Sequence, residues 1–446
     1  MVVHCLSLDG VDCTGAETAP AAGERLEEAL PKRYTETPNL QNLSFNAAEA
    51  FATMNCHLCG HAHTVEFLNL GKQPLANKYP TEAQFEGEEF FPLEVYFCLR
   101  CKNVQLGTIV SREKMFEDYY YLSSVNAGLV RHFEALAKKL AKSNFVVDIG
   151  SNDGILLRPL KAAGIRAIGV EPSVNVSKIA NDEGLETLCS FFDASLAAEV
   201  ERKFGKPDVI VASSVFTHLD KPSEFVDAVK ALLSKDGRFI IEVEYIGNIL
   251  RTVQFERFYL DRIFYYSLTS LNFLFDAHDM TIVDVEHIEP HGGSLQVTVQ
   301  RKGLGVSPSD HVTALLEEEH ESLTAAKLME FRGQVDTQIA AFRDILIGYK
   351  ESGLKVAGYG APARVSTICN YGNIGPSLIE FTVDDSPLKQ NKSTPGTHIP
   401  IVSKVHLDSH RPDILVVFAY EYFDDIWTKT NGSYRYLLPI PPKEVT

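Results

Sequence analysis

The sequence predicts an α/β protein built from several units, and three observations carry that expectation. Apolar strand-like runs alternate with helix-periodic ones through the middle of the chain and again near its end, the pattern of parallel sheets covered by helices. Two of these strands run into glycine turns that open helices, Val147 to Gly154 and Gly358 to Ala361. Two Cys-x-x-Cys pairs precede all of this in a short, loop-rich stretch and predict a small metal-held module.

Composition sets the outer limits. The chain has 446 residues, 45% of them hydrophobic, enough for two or three domains with real cores. Lys+Arg is 42 against Asp+Glu 59, a formal net charge of −17. That balance argues against a surface for bare nucleic-acid backbone, which needs clustered cations. It leaves room for an anionic small substrate in one local pocket. No run approaches the ~18–20 apolar residues of a membrane span. The start has no basic region leading into a long apolar core, so no signal peptide is expected.

Taken in order, residues 1–50 are expected to be a flexible tail that carries Cys5 and Cys13 as free thiols. Residues 51–123 hold both cysteine pairs and form the expected metal module. Residues 124–305 open on NAGLVRHFEALAKKLAKS, apolar at helical spacing, and continue as strand, glycine turn, helix and strand. DVIVASSVF and RFIIEVEY are further strands, and TIVDVEHIEP with SLQVTVQRK reads as an antiparallel pair joined through His291-Gly292-Gly293. Residues 306–352 are read as a helical connector, charged and helix-periodic and without proline from 310 to 352. In residues 353–446, KVAGYGAPARVSTICNY repeats the strand, glycine turn and helix, with strands expected in IEFTVDDSP and DILVVFAY.

Cys56-His57-Leu58-Cys59 and Cys98-Leu99-Arg100-Cys101 are two knuckles with 38 residues between them. Four thiolates in two such turns match a tetrahedral zinc site, and a full set of four leaves no open position for chemistry. The metal is therefore expected to be structural, with His57 and His61 as bystanders. Two unrelated cysteine pairs are the alternative. Cys189 and Cys369 are expected in or near the core.

In Val147-Asp148-Ile149-Gly150-Ser151-Asn152-Asp153-Gly154 a strand turns sharply into a helix, where close backbone approach to a ligand demands glycine. Glu171 ends the next strand, 23 residues after Asp148, and an acid there can accept both ribose hydroxyls of a nucleoside. Asp153 would face a pyrophosphate unfavourably. A cationic cofactor without phosphate fits better, and S-adenosylmethionine (SAM) is such a cofactor; the alternative is a turn with no ligand. Asp148, Gly150, Asn152, Asp153, Gly154 and Glu171 are the candidate cofactor residues, with Phe192 expected to border the adenine.

CHLCG, LNLGKQPLANKY, FCLRCKNVQL, MFEDYYYLSS, VDIGSNDGILL, GVEPS, HGGSLQV, GYGAPAR and DDSPLKQNKSTPGTHIPI occur in an order that resembles the zinc-containing, SAM-dependent sugar C-methyltransferases, across about residues 54–440. That family acts on nucleotide-linked deoxy-4-keto sugars. The resemblance implies an N-terminal zinc-binding module, a central class I SAM methyltransferase domain with a Rossmann-like sheet, and a C-terminal Rossmann-like α/β domain that helps bind a nucleotide sugar.

C-methylation beside a ketone needs a base to remove a proton and donors to meet the oxyanion that forms. The resemblance implies Tyr121 and His218 as catalytic candidates. It also places the family's Tyr-x-Glu-His motif at Tyr259-Leu260-Asp261-Arg262. Tyr259 is kept. Asp261 replaces the Glu and is one methylene shorter, and Arg262 replaces the His that would be the base. Arginine cannot abstract a proton at any useful pH. Three readings stay open: His218 or Asp261 takes the base role, a different acceptor is methylated (on oxygen or nitrogen, for example), or binding survives without catalysis. Arg262 is also placed to pair with Asp261 or to grip an anionic group.

His291, Gly292 and Gly293 are expected near the sugar. Tyr359, Arg364, Lys389 and Asn391 are expected around an anion site at the second glycine turn, a local cationic pocket in an acidic protein. The expected partners are a nucleotide-linked sugar and no nucleic acid or membrane, with the chain a monomer. Free thiols suit the reducing cytoplasm.

Overall fold

The computed structural model describes residues 54–111, 114–115 and 122–445. The expected tail with Cys5 and Cys13, and Tyr121, lie outside the described residues, as does the side chain of His291.

Three sheets organise the chain. The first is antiparallel, with strands Thr64–Pro74, Phe90–Cys98, Val104–Leu106 and Phe264–Tyr265 in that order. Its fourth strand comes from the aromatic run IFYYS, far along the chain, where Val104 pairs with Tyr265 and Gln105 with Phe264. The zinc-bearing unit is thereby stitched to the segment that carries Tyr259, Asp261 and Arg262.

The central sheet has seven strands, in the order Met280–Ile288, Ser294–Arg301, Arg238–Glu244, Val209–Ser213, Phe145–Ile149, Arg166–Val170 and Thr187–Leu188. The last five are parallel and the first two form the antiparallel pair read in the sequence. Every residue of Phe145–Ile149 is buried, as expected of a strand covered on both faces. The helix Ala127–Lys139 precedes it, capped by the Asn126 side chain, which accepts from the Gly128 and Leu129 amides. Strand order reverses beside Phe145–Ile149, so a crevice opens at the carboxyl ends of the strands there, the usual ligand position in such sheets.

Helices Asp310–Ser322 and Ala325–Glu351 follow. Glu319, buried in the first, accepts from the Leu268 and Thr269 amides at 2.7 Å each and so caps the helix Leu268–Ala277. The third sheet runs Ile401–Val402, Thr382–Val383, Val356–Tyr359, Ile414–Val417, Arg435–Pro439 and Pro442–Val445, parallel except for its last strand. Among the described residues no helix is long and apolar enough to cross a membrane. Cys369 is buried as expected, whereas Cys189 is exposed on the loop after Thr187–Leu188.

Candidate active site and zinc centre

The four cysteines of the two knuckles are buried, and their sulfur atoms all lie within 4.8 Å of one another. Cys56 Sγ is 3.7 Å from Cys101 Sγ, and Cys59 Sγ is 3.6 Å from Cys98 Sγ. Zinc–sulfur bonds of about 2.3 Å in a tetrahedron put sulfurs roughly 3.8 Å apart, so the cage fits the ion. The two knuckles share one backbone design. The amide of Gly60 donates to the Cys56 carbonyl at 2.8 Å, and that of Lys102 to the Cys98 carbonyl at 3.1 Å. Both residues have positive φ, +70° and +59°.

At the crevice, Gly150 has φ +75° and a Cβ there would overlap Val215. Its amide donates to the Val170 carbonyl at 2.7 Å, which folds the turn over the neighbouring strand. Glu171, at the end of that strand, accepts from the amides of Asn152 (3.1 Å) and Ser173 (2.8 Å). The Ser173 side chain is a third donor, and a carboxylate has about four acceptor positions, so room remains for a ribose hydroxyl. Asn152 (φ +48°) accepts from the Ser123 amide at 2.9 Å, and Ser124 donates to Asp153. Asp153 Oδ1 and Ser151 Oγ are buried without a hydrogen-bond partner. Asp153 Oδ1 lies 3.9 Å from Arg158 and Ser151 Oγ packs over Gly169, so of the turn's carboxylates Glu171, with acceptor capacity left at the strand end, is the one that fits a nucleoside such as that of SAM.

Asp148 lies under this turn. Burial, then the neighbouring carboxylates Glu242 and Glu171, push its carboxyl up to about 8. Burial acts the same way on Glu242, but contacts to His132 (2.8 Å) and Gln296 (2.7 Å) outweigh it and hold Glu242 below its ordinary value. Of the two carboxyls, Asp148 is therefore the one shifted toward the neutral form and Glu242 the one shifted toward the charged form. Phe192 does not line open space. Its ring packs edge-on to Phe225 at 5.2 Å in the core, and the neighbouring Phe191 is the exposed ring.

Beside the crevice, the structure brings His218, Tyr259, Asp261 and Arg262 together. Ring nitrogen Nδ1 of His218 donates to the carbonyl oxygen of Asp261. The amide of Ile263 donates back to the Thr217 carbonyl at 2.8 Å, so the two segments are clasped. Arg262 stacks over the Tyr259 ring at 4.6 Å. The expected Arg262–Asp261 pair is not made: Arg262 pairs with Glu244, and Asp261 accepts from Asn77 Nδ2 at 2.6 Å. Burial raises the carboxyl of Asp261 and the phenol of Tyr259 above their ordinary values.

Glu244 opens a buried chain of alternating charge that the sequence reading missed. It meets Arg262 on one oxygen and Arg257 on the other, and Arg257 continues to Glu421, which meets Arg364 at 2.8 Å. Burial disfavours the Glu421 carboxylate, but Arg364 and Arg257 win and lower it to about 2. The only sequence signal was Glu244 itself, a charge at the C-terminal end of a parallel strand. Gly292 (φ +74°) packs directly on Arg257, where a Cβ would overlap the guanidinium, and its carbonyl accepts from Asn248. Asn248 also fills the space beside Gly293.

The cations expected at the second glycine turn are each held by an acid of the protein itself, although Arg364 Nη1 makes no hydrogen bond. Arg364 is held by Glu421, and Lys389 donates to the Ala361 carbonyl (3.0 Å) and lies 3.5 Å from Asp384. Asp384 also accepts from the Ala361 amide at 2.8 Å, where a ligand anion was expected. Tyr359 donates to Asp385 at 3.3 Å, and the amide of Asn391 (φ +64°) donates to the Ile401 carbonyl.

A glycine turn at the switch point of a mostly parallel sheet, with a closed four-cysteine cage beside it, defines a zinc-bearing, SAM-dependent methyltransferase. Comparison with known proteins agrees. Residues 56–116 match the family model of a zinc binding domain, 121–285 that of a methyltransferase domain, and 289–441 that of a C-methyltransferase C-terminal domain. The C-methyltransferase NovU of Streptomyces niveus is 32% identical over 404 residues, which cover 87% of this chain and 96% of that protein. The chain thus belongs to the zinc-containing, SAM-dependent C-methyltransferase family. Similar solved structures include the magnesium protoporphyrin IX methyltransferase of Synechocystis PCC 6803 with bound SAM (15% identity, 40% of this chain and 82% of that one, TM-score 0.31). PH0226 of Pyrococcus horikoshii OT3 is another (16% identity, 43% and 100%, TM-score 0.33). Likenesses of that size carry no functional weight.

Proposed function

We propose that this enzyme transfers a methyl group to the carbon next to the ketone of a nucleotide-linked deoxy-keto sugar, through an enolate, with His218 as the base. The observation that carries this reading is the contact of His218 Nδ1 with the Asp261 carbonyl. A carbonyl only accepts, so Nδ1 bears the proton and the basic lone pair falls on Nε2. That tautomer is the one a base needs, and it answers the loss of the family histidine at Arg262.

Bound SAM supplies an electrophilic methyl on a sulfonium. In this reading Glu171 holds its ribose, and Asp148 and Asp153 face its ammonium end. His218 Nε2 takes the proton from the substrate carbon. Arg262 remains charged, offset by Glu244, and Tyr259 keeps its hydroxyl proton because burial opposes ionisation. The two are the donors proposed for the enolate oxygen. The turn at His291, Gly292 and Gly293 forms the proposed sugar wall, and the nucleotide lies toward the C-terminal domain.

The test is turnover of methyl-13C SAM with a panel of nucleotide-linked keto sugars, followed by NMR of the product. A methyl resonance on carbon is expected for at least one acceptor. A methyl on oxygen or nitrogen, or SAM binding without turnover across the panel, would overturn the reading.

A further inference from the structure

We propose that Asn77, in the loop leaving the zinc-bearing sheet, is a positioning residue for His218 and acts on it through Asp261. The inference rests on His218 as the base and extends that reading to a residue from another unit of the fold.

Asn77 follows the strand Thr64–Pro74 in the stretch Leu75-Ala76-Asn77-Lys78-Tyr79. Its Nδ2 donates to Asp261 Oδ2 at 2.6 Å, across 184 positions of sequence. The loop that presents it is fixed at both ends. Leu75, Ala76 and Tyr79 are buried, the Lys78 amide donates to the Leu75 carbonyl at 3.0 Å, and the Tyr79 hydroxyl donates to the Ala361 carbonyl at 2.8 Å. Asn77 is itself exposed between these anchors, so its amide reaches Asp261 from the solvent side.

Asp261 is held at three points. Its side chain meets Asn77 and its carbonyl meets His218, while the turn that contains it is closed by the Arg262 amide on the Tyr259 carbonyl at 3.1 Å. Asn77 fixes the side-chain torsion together with the residue's own amide, which also reaches the carboxylate. Its nitrogen can only donate, so it favours the charged carboxylate over the neutral acid. Burial works in the opposite direction, and Arg262 works with Asn77. Asn77 thus acts on the base through the Asp261 peptide, whose carbonyl sets the tautomer.

The experiment uses the full-length, zinc-loaded protein with 15N-labelled histidine. Wild type is expected to show the His218 ring protonated on Nδ1, a signal assigned by its disappearance in His218→Gln. In Asn77→Ala the ring is expected to become a mixture of tautomers. kcat should fall about tenfold, the loss of one hydrogen bond to a charged group, while KM for SAM changes less than about twofold. Asn77→Leu, of similar size but without the donor, should behave likewise. Asn77→Ala added to Asp261→Asn should cost less than a further twofold or so, since both remove one pathway. An unchanged tautomer with unchanged kcat, fully multiplicative losses in the double variant, or a wild-type proton on Nε2 would each overturn the inference. Absence of keto-sugar turnover would instead count against the proposed acceptor, and the tautomer change would still support the role of Asn77.

Discussion

At Gly150 and at Gly360 the chain leaves a buried parallel strand with positive φ, +75° and +89°, and then enters a helix. Each glycine amide donates to the last residue of the adjacent strand, Val170 at 2.7 Å and Val383 at 2.6 Å. Each of those valines is followed by an acid, Glu171 or Asp384, and each acid takes an amide of the turn, that of Asn152 or Ala361. Each also takes the amide two residues further on, Ser173 or Ser386. The frames are equivalent. What differs is what fills them. The first sets Asp148 beneath the turn and Asp153 on it, 3.9 Å from Arg158. In the second, Gly358 stands where Asp148 does, and the Ala361 carbonyl takes both Tyr79 and Lys389. In the first turn the strand-end acid is met by backbone amides, whereas in its twin Tyr79 and Lys389 side chains also reach the turn. Local backbone design does not assign function; the side chains that reach into it do.

The largest expected effect falls on the second turn, because Tyr79 hangs from the zinc-bearing unit. Stripping the metal should lower stability by several kcal/mol, read as a falling melting temperature against chelator with loss of zinc by elemental analysis. The next effect tests the acid under the first turn. The native state holds the Asp148 proton to about pH 8, while the unfolded chain releases it near the ordinary carboxylate value of about 4. Its contribution to stability is therefore complete below about pH 4 and is lost as pH rises to about 8. Asp148→Asn should match wild type at low pH and be more stable by up to a few kcal/mol at pH 8, measured by urea unfolding across that range.

Gly150→Ala and Gly360→Ala should strain their turns alike, by about 1–3 kcal/mol each, yet part company in binding. The first should weaken SAM at least tenfold in calorimetry, and the second should leave SAM affinity within about twofold. The smallest effect separates the twin acids: Glu171→Gln should weaken SAM about tenfold, and Asp384→Asn should not change it measurably. Equal SAM losses in either pair would erase the distinction between the turns.

The four-cysteine cage and the first turn were legible because their signals sit within a few consecutive residues. Cys56, Cys59, Cys98 and Cys101 declare themselves by spacing, and Gly150 with Glu171 by their place on successive strands. The rest depended on partners that spacing does not reveal. Arg364 and Lys389 read as a cationic pocket, and spacing gave no sign that Glu421 and Asp384 would come beside them. Arg262 looked ready for Asp261, its neighbour in sequence, but consecutive side chains diverge, and it pairs with Glu244 while Asp261 turns to Asn77. Phe192 and Phe191 show the same limit. Phe192 packs on Phe225 while Phe191 is exposed, and nothing in the run FFD distinguishes the two.

The account turns on His218 as the base, and proton exchange at the substrate carbon tests it without methyl transfer. The enzyme would be incubated in D2O with a nucleotide-linked keto sugar and S-adenosylhomocysteine, with exchange of the proton beside the ketone followed by NMR. Wild type should exchange that proton, and His218→Gln should slow the exchange by about 10²–10⁴ while keeping S-adenosylhomocysteine affinity. Exchange at the wild-type rate in His218→Gln would contradict the assignment.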